Sequence, residues 1–325
     1  MIPYAPMVAV VVTLLFTTVI LRTGLGKKVQ DVPNARSLHV APIPRIGGLG
    51  IMAGLLCGWA LMITSLSWWV VVPLIGLFGV SLLDDMRGLP VYARLLAHLG
   101  AAAILVGGSF LFTSKDVVMA VATFLFSVWM TNLFNFMDGS DGLAGGMALC
   151  GFGLYGTAAL MRQNDAFAML NFTIGAAALG FLFKNFHPAK VFMGDAGSIP
   201  LGFLAAAMGL WGWQEAVWSA WFPLLIFSPF IVDASVTLLK RGVRGVKITE
   251  AHREHYYQRL IQMGWGHRNV ALVEYAVMLG VGVSALAALN QEFPLVVLAV
   301  WSGVYALLML SIDVAWRRFE RERNA

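Results

Sequence analysis

The chain has 325 residues, of which 59% are hydrophobic and only 12% charged, with a mean hydropathy of +0.78. Soluble domains carry about 25% charged residues, so a soluble globular fold is excluded. The net charge of +5 does not call for nucleic acid as a partner, because Lys and Arg gather in short loops between apolar runs, as membrane orientation requires.

A helix needs about 20 apolar residues to cross the hydrocarbon core. Spans of that kind fall at 4–21, 47–66, 68–83, 91–112, 117–135, 142–161, 165–183, 197–213, 216–239, 270–289 and 294–313. The fold class is therefore all-α: a polytopic membrane protein of about eleven transmembrane helices in the lipid bilayer. The first run is not a cleavable signal peptide, since Arg22, Lys27 and Lys28 follow it instead of preceding it. With the N-terminus placed outside, all of the 22 Lys and Arg except Lys115 and Arg162 fall in inner segments. That asymmetry predicts a periplasmic N-terminus and a cytoplasmic C-terminus. The longest polar stretch, Lys240 to Asn269, is too short at about thirty residues to bury a core of its own. Residues 1–325 thus read as a single membrane-embedded domain, with 240–269 as a cytoplasmic loop that contributes to the active site. Cys57 and Cys150 lie in apolar runs and form neither a metal pattern nor a disulfide framework. Both are expected as small core residues.

On this map the polar clusters share one face. Asp84-Asp85 closes an apolar helix, where two adjacent carboxylates oppose the helix dipole and cannot both ionise without a counter-charge. A general base or a cation site follows. Asn132, Asn135, Asp138 and Asp141 recur at spacing three, which on a helical turn places them on one face. Carboxylate and amide oxygens suit a hard cation such as Mg²⁺, with Gly139 and Gly142 permitting a tight turn beside them. Asp195 sits in a Gly-Asp-Ala-Gly-Ser turn that opens the eighth span, where free helix N–H groups can meet anions. It either N-caps that helix or holds a metal. His252 and His255, flanked by Arg253, are three apart and lack the spacing of a His-Glu-x-x-His zinc site. Phosphate oxygens are their better partner. Arg45 and His39 could meet the same anion, and His98, within an apolar span, is expected to be a satisfied core histidine.

Together these strings resemble the polyprenyl-phosphate N-acetylhexosamine-1-phosphate transferases, bacterial glycosyltransferases of family 4 type. The resemblance runs from Asp31 to about Gln258 and rests on Asp84-Asp85, on the run from Asn132 to Gly146, and on Phe192-Met-Gly-Asp195-Ala-Gly-Ser198, in that order. The His252-Arg-Glu-His255-Tyr-Tyr-Gln258 segment looks most like the branch that initiates O-antigen with N-acetylated 6-deoxy sugars. The resemblance implies attack by undecaprenyl phosphate on the β-phosphorus of a UDP-N-acetyl sugar, with UMP leaving, at the cytoplasmic face of the inner membrane. It implies Asp84 and Asp85 as catalytic, and Asn135 and Asp195 as ligands of Mg²⁺, or of Mn²⁺ in its place. Asp141 and Phe192 would meet the uracil, and His252 and His255 the diphosphate. Asn132, Asp138, Arg253 and Arg45 complete the substrate site, and a homodimer is implied. A lipid or sugar transporter is the rival class; against it, the acids lie at one face and no internal repeat is visible. A CDP-alcohol phosphotransferase shares the opening Asp138-x-x-Asp141-Gly142, but Ala159 and Gln163 stand where its further aspartates are needed.

Overall fold

The computed structural model describes residues 3–23, 29–33, 38, 41–110, 117–247 and 252–324. Lys27, Lys28, Arg36, His39 and Lys115 lie outside the described residues. The chain is almost wholly helical. The long helices are α1 (Ala5–Thr23), α3 (Trp68–Arg87), α4 (Val91–Phe110), α5 (Val117–Phe136), α6 (Leu143–Met161), α7 (Asp165–Asn185), α8 (Asp195–Gln214), α12 (Gly266–Ala287) and α13 (Leu295–Asn324). Shorter ones are α2 (Gly47–Ala60), α9 (Trp221–Ile226), α10 (Ser228–Val243) and α11 (Tyr256–Gln262). Among the described residues, nine helices are long and apolar enough to cross a membrane. The other two expected spans take broken forms. The 47–66 span is α2 followed by a 3₁₀ turn at Ile63–Ser65. The 216–239 span divides into α9 and α10 at Phe227, with Pro229 in the first turn of α10, the position in a helix where a missing N–H costs least.

Helix α8 is the axis of the molecule. It packs on α2, α3, α5, α6 and α9, and almost all of its residues are buried. Small residues allow these approaches, as they do between helices in lipid. A Cβ on Gly202 would stand 2.4 Å from the Met130 carbonyl oxygen, and one on Gly48 would stand 2.3 Å from the Gly197 nitrogen. By contrast α13 buries none of its residues, leaving an apolar face exposed from Val296 to Val314. Cys57 also departs from expectation, since it is exposed on α2 and takes no part in the core.

The segment before α2 is stitched to the segment before α8. A short antiparallel pair, β1 (Gln30–Asp31) with β2 (Ile43–Pro44), precedes α2. Phe192 N then donates to Pro44 O at 2.8 Å, Gly47 N to Phe192 O at 2.9 Å and Gly48 N to Met193 O at 2.8 Å. The 240–269 stretch is more ordered than a loop: it holds the end of α10, all of α11 and the first turn of α12. The last helix runs to Asn324, well past the expected end of its span.

Candidate active site

The site starts where α3 ends. Gly88 adopts φ 67°, and its N–H closes onto Asp84 O at 2.8 Å, the left-handed helix stop that glycine makes cheaply. The chain turns through Leu89 and Pro90 into α4, which brings Arg94 back over α3. Arg94 Nη1 lies 3.1 Å from Asp84 Oδ2, and Leu89 N donates to Asp84 Oδ1 at 2.5 Å. Asp85 points elsewhere. Its carboxylate accepts the N–H groups of Asp195 (3.1 Å) and Ala196 (2.8 Å) at the start of α8. The two adjacent acids therefore do not share one partner: Asp84 has the Arg94 guanidinium and Asp85 the N–H groups that open α8.

That arrangement settles how Asp195 is used. It is the first residue of α8 and not its N-cap; Asp85 caps the helix from α3. The N–H groups of Gly197 and Ser198 turn back to Gly194 O at 3.0 Å, so this helix start has no free donors for an anion, contrary to the sequence expectation. Gly194 is required twice over: its φ is +71°, and a Cβ there would stand 2.9 Å from Asp85 Oδ2. The Asp195 side chain is left to face the site. Asn135 Nδ2 donates to Asp195 Oδ1 at 2.8 Å and to Ser198 Oγ at 3.1 Å. Arg94 lies 3.6 Å from Asp195 Oδ2, and the Asp84 carboxyl meets the same group.

The spacing-three ladder is broken. Helix α5 stops at Phe136, so only Asn132 and Asn135 share its face. Asn132 Nδ2 donates to Val128 O at 2.7 Å and its side chain hydrogen-bonds His98. Beyond the break, Asp138 accepts the N–H of Gly194. Burial, then the nearby charges of Asp195 and Asp85, raise its carboxyl well above the usual range, with Arg45 opposing. Four acids (Asp84, Asp85, Asp138 and Asp195) thus meet at one place. Arg94 balances them only in part, because Arg45 is itself paired with Asp31 at 2.8 Å. Among the described residues no three His, Cys or acidic groups form a ready coordination set. The surplus of oxygen donors and negative charge nonetheless fits Mg²⁺, which keeps several waters and needs only one or two carboxylates besides substrate phosphates.

A cavity of about 670 Å³ opens beside this cluster. Arg94, Asn132, Asn135 and Asp195 line one side and His252 and His255 the other. Apart from Gln258 and His98, the rest of its lining is apolar, chiefly from α4 and α5 with Ile199 of α8 and Leu238 of α10, and includes Leu95 and Leu125, both exposed. His98 lines it too. Its Nδ1 is buried without a partner among the described residues, so the core histidine expected there is satisfied only in part, through Asn132. His252 packs on His255 with ring centroids 4.9 Å apart. Burial, then His255 and Arg241, lower its pKa from 6.5 to about 4. It is a neutral imidazole at pH 7 in the free protein, not a fixed positive charge. Arg253 is exposed and its carbonyl accepts from Gln262; it does not line the cavity. Glu254 instead holds Arg241 and Arg244 in ion pairs.

Residues 67–212 match glycosyl transferase family 4, a stretch from the start of α3 through α8 that includes all four clustered acids. The chain is also similar to a probable undecaprenyl-phosphate N-acetylglucosaminyl 1-phosphate transferase of Bacillus subtilis, at 29% identity over 322 residues, covering 94% of this chain and 88% of the relative. It is 27% identical to the undecaprenyl-phosphate alpha-N-acetylglucosaminyl 1-phosphate transferase of Escherichia coli over 334 residues, covering 93% and 90%. A decaprenyl-phosphate N-acetylglucosaminephosphotransferase of Mycobacterium leprae is 29% identical over 310 residues, covering 80% and 76%. The family match and these relatives support the polyprenyl-phosphate N-acetylhexosamine-1-phosphate transferase family for this chain. It is a sugar-phosphate transferase.

Two further residues of the transferase complete the comparison with the sequence expectations. Asp141 is not part of the acid cluster's ladder. It is buried, its Oδ2 lies 2.7 Å from His187 Nδ1, and it also accepts the Ala189 N–H at 3.1 Å. His267, stacked on His187 at 5.7 Å, reaches Ser140 Oγ at 3.0 Å. Phe192 is half-buried, and its backbone is tied to Pro44 and Gly47. Sequence reasoning missed His187 and His267, for which no local pattern exists. It counted Arg94 only as a topological charge, although the short Gly88-Leu-Pro90 turn would have placed it over Asp84.

Proposed function

We propose that the transferase moves an N-acetylhexosamine 1-phosphate from a UDP-linked donor to undecaprenyl phosphate, releasing UMP and starting an O-antigen or another cell-surface glycan. One observation carries this reading: a single cavity joins an apolar wall, open at Leu95 and Leu125, to a polar end built from Arg94, Asn135, Asp195, His252 and His255. A lipid phosphate needs the first and a nucleotide diphosphate the second. The N-acetylglucosamine in the relatives' names makes that sugar the first to test, with N-acetylated 6-deoxyhexosamines beside it.

In the reaction, an oxygen of the acceptor phosphate bonds to the β-phosphorus of the donor, the bond between that phosphorus and the bridging oxygen breaks, and UMP leaves with the electron pair. Asp84, paired with Arg94 beside the cavity, would take the acceptor's proton, with Arg94 holding both Asp84 and the incoming phosphate. Asn135 and Asp195 would hold Mg²⁺, which when bound offsets the repulsion between the reacting phosphates. Asp138, buried and accepting the Gly194 N–H, would hold the turn before α8 in place beside the site. His252 and His255 meet the diphosphate; Asp141 and Phe192 receive the uracil. The basic segments lie on the cytoplasmic side of the bacterial inner membrane, and so does the active site. Purified protein with undecaprenyl phosphate, Mg²⁺ and a panel of UDP-N-acetylhexosamines should form a lipid-linked sugar and one UMP per turnover. If no donor in the panel releases UMP, the reading fails.

A further inference from the structure

His255 is nearly fully buried, yet it lines the cavity. Its ring lies close to parallel with those of Phe136, at 6.3 Å, and Tyr257, at 6.0 Å. Its edge is held. Nδ1 lies 3.3 Å from Oδ1 of Asp233, a buried acid in the middle of α10. Asp233 belongs to none of the motifs above. A carboxylate within an apolar helix is costly and stays only where it has partners. Asp233 has four: besides His255, it accepts the N–H of Tyr256 (2.9 Å), the N–H of Tyr257 (3.0 Å) and the Thr237 hydroxyl (3.2 Å).

We infer that Asp233 is a positioning residue that fixes which nitrogen of His255 the substrate meets. A carboxylate facing Nδ1 only accepts hydrogen bonds; in competition with the Gln258 N–H, which approaches the same side chain at the start of α11, it places the proton on Nδ1 and leaves Nε2 as the nitrogen presented to the cavity. The partner of one ring nitrogen sets the role of the other. The same carboxylate closes the first turn of α11, so a single side chain sets both the tautomer of His255 and the place of its backbone. Nε2 is then the nitrogen that meets a phosphate oxygen, while Asp233 holds the ring from behind. This inference rests on the proposed binding of the donor diphosphate at His255, and it gives α10 a part in the site that its apolar sequence conceals.

Two measurements on the full-length protein decide it. The first is the nitrogen NMR spectrum of histidine-labelled wild-type protein above pH 8, assigned to His255 by its loss in His255→Gln. The expected result is the tautomer with the proton on Nδ1; the proton on Nε2 overturns the inference, whatever the protein catalyses. The second is a double-mutant cycle on donor KM and kcat with undecaprenyl phosphate and Mg²⁺. Asp233→Asn should raise donor KM about tenfold, the worth of one hydrogen bond to a charged group, and should cost under about twofold in a His255→Gln background. Losses that multiply across the two sites overturn it, because a merely structural Asp233 would cost the same in both backgrounds. Should Asp233→Asn fail to fold, the wild-type spectrum still decides. Wild-type protein that releases no UMP refutes the function and leaves the tautomer result standing on its own.

Discussion

Replacing Asp85 with alanine separates the geometry of this site from its chemistry. The Asp85 carboxylate satisfies two N–H groups at the start of α8, at 3.1 and 2.8 Å. Loss of a helix cap costs about 1–2 kcal/mol, and loss of a negative charge at a helix N-terminus costs about 0.3–1 kcal/mol more. The sum, about 2 kcal/mol, corresponds to a fall of about 4 °C in the melting temperature of a chain this long. Asp85→Asn should fall between, because its amide oxygen can serve one N–H while its NH₂ opposes the other. Activity should suffer more than stability. Asp195 is the residue whose N–H is released, and displacing a reacting-site group by about 1 Å costs about a hundredfold in rate. The assay is a thermal melt of the detergent-solubilised protein beside turnover at a temperature well below the melt. An Asp85→Ala protein with wild-type melting temperature would refute the capping role, and wild-type turnover would refute the link from cap to Asp195.

Other expectations follow from the same geometry. Asp195→Asn should abolish transfer while the protein still inserts and melts as wild type does; near wild-type turnover would remove Asp195 from the proposed metal site. Chelation by EDTA should stop transfer without lowering helicity by circular dichroism, and Mg²⁺ should restore it. Gly48→Ala drives a Cβ to 2.3 Å from the Gly197 backbone and should cost about 1–3 kcal/mol through overpacking, seen as a lower melt and a smaller monodisperse fraction; an unchanged melt would contradict the close approach of α2 to α8. His252 has a folded pKa of about 4 against 6.5 when unfolded, so the unfolded chain binds more protons between those values. Stability should therefore be full above pH 6.5 and fall as pH drops toward 4. That slope should be shallower in His252→Gln; identical profiles would argue against the depressed pKa.

The apolar spans were legible because length and hydropathy leave few alternatives in a bilayer. Of the two that broke, the 216–239 span did so where the sequence already carried a warning, with Pro223 and Pro229 flanking the division at Phe227; the 47–66 span, which has no proline, gives way to a 3₁₀ turn at Ile63–Ser65. The acids of the site were legible as residues but not as an arrangement. Spacing three suggested one helical face from Asn132 to Asp141, and the end of α5 at Phe136 turns Asp138 toward Gly194 and Asp141 toward His187. Asp84 and Asp85 looked like a pair sharing one counter-charge, but adjacent side chains on a helix diverge, and their partners lie on α4 and α8. The partners of Asp141 are 46 and 126 residues away along the chain, a separation that no local pattern encodes. Asp233 was visible as an acid inside an apolar span and could have been singled out on cost alone.

The exposed leucines at the edge of the cavity have a consequence for kinetics. Leu95 and Leu125 are exposed and belong to α4 and α5, two of the helices long and apolar enough to cross a membrane, so the proposed lipid acceptor is expected to reach the cavity from the hydrocarbon side. An acceptor arriving there never leaves the plane of the bilayer. Its effective concentration is then a mole fraction among neighbouring lipids, and the volume of the assay is irrelevant to it. Diluting the acceptor with inert phospholipid at constant total acceptor should slow the enzyme, whereas diluting the same vesicles with buffer should not. The donor, which comes from water, follows the opposite rule.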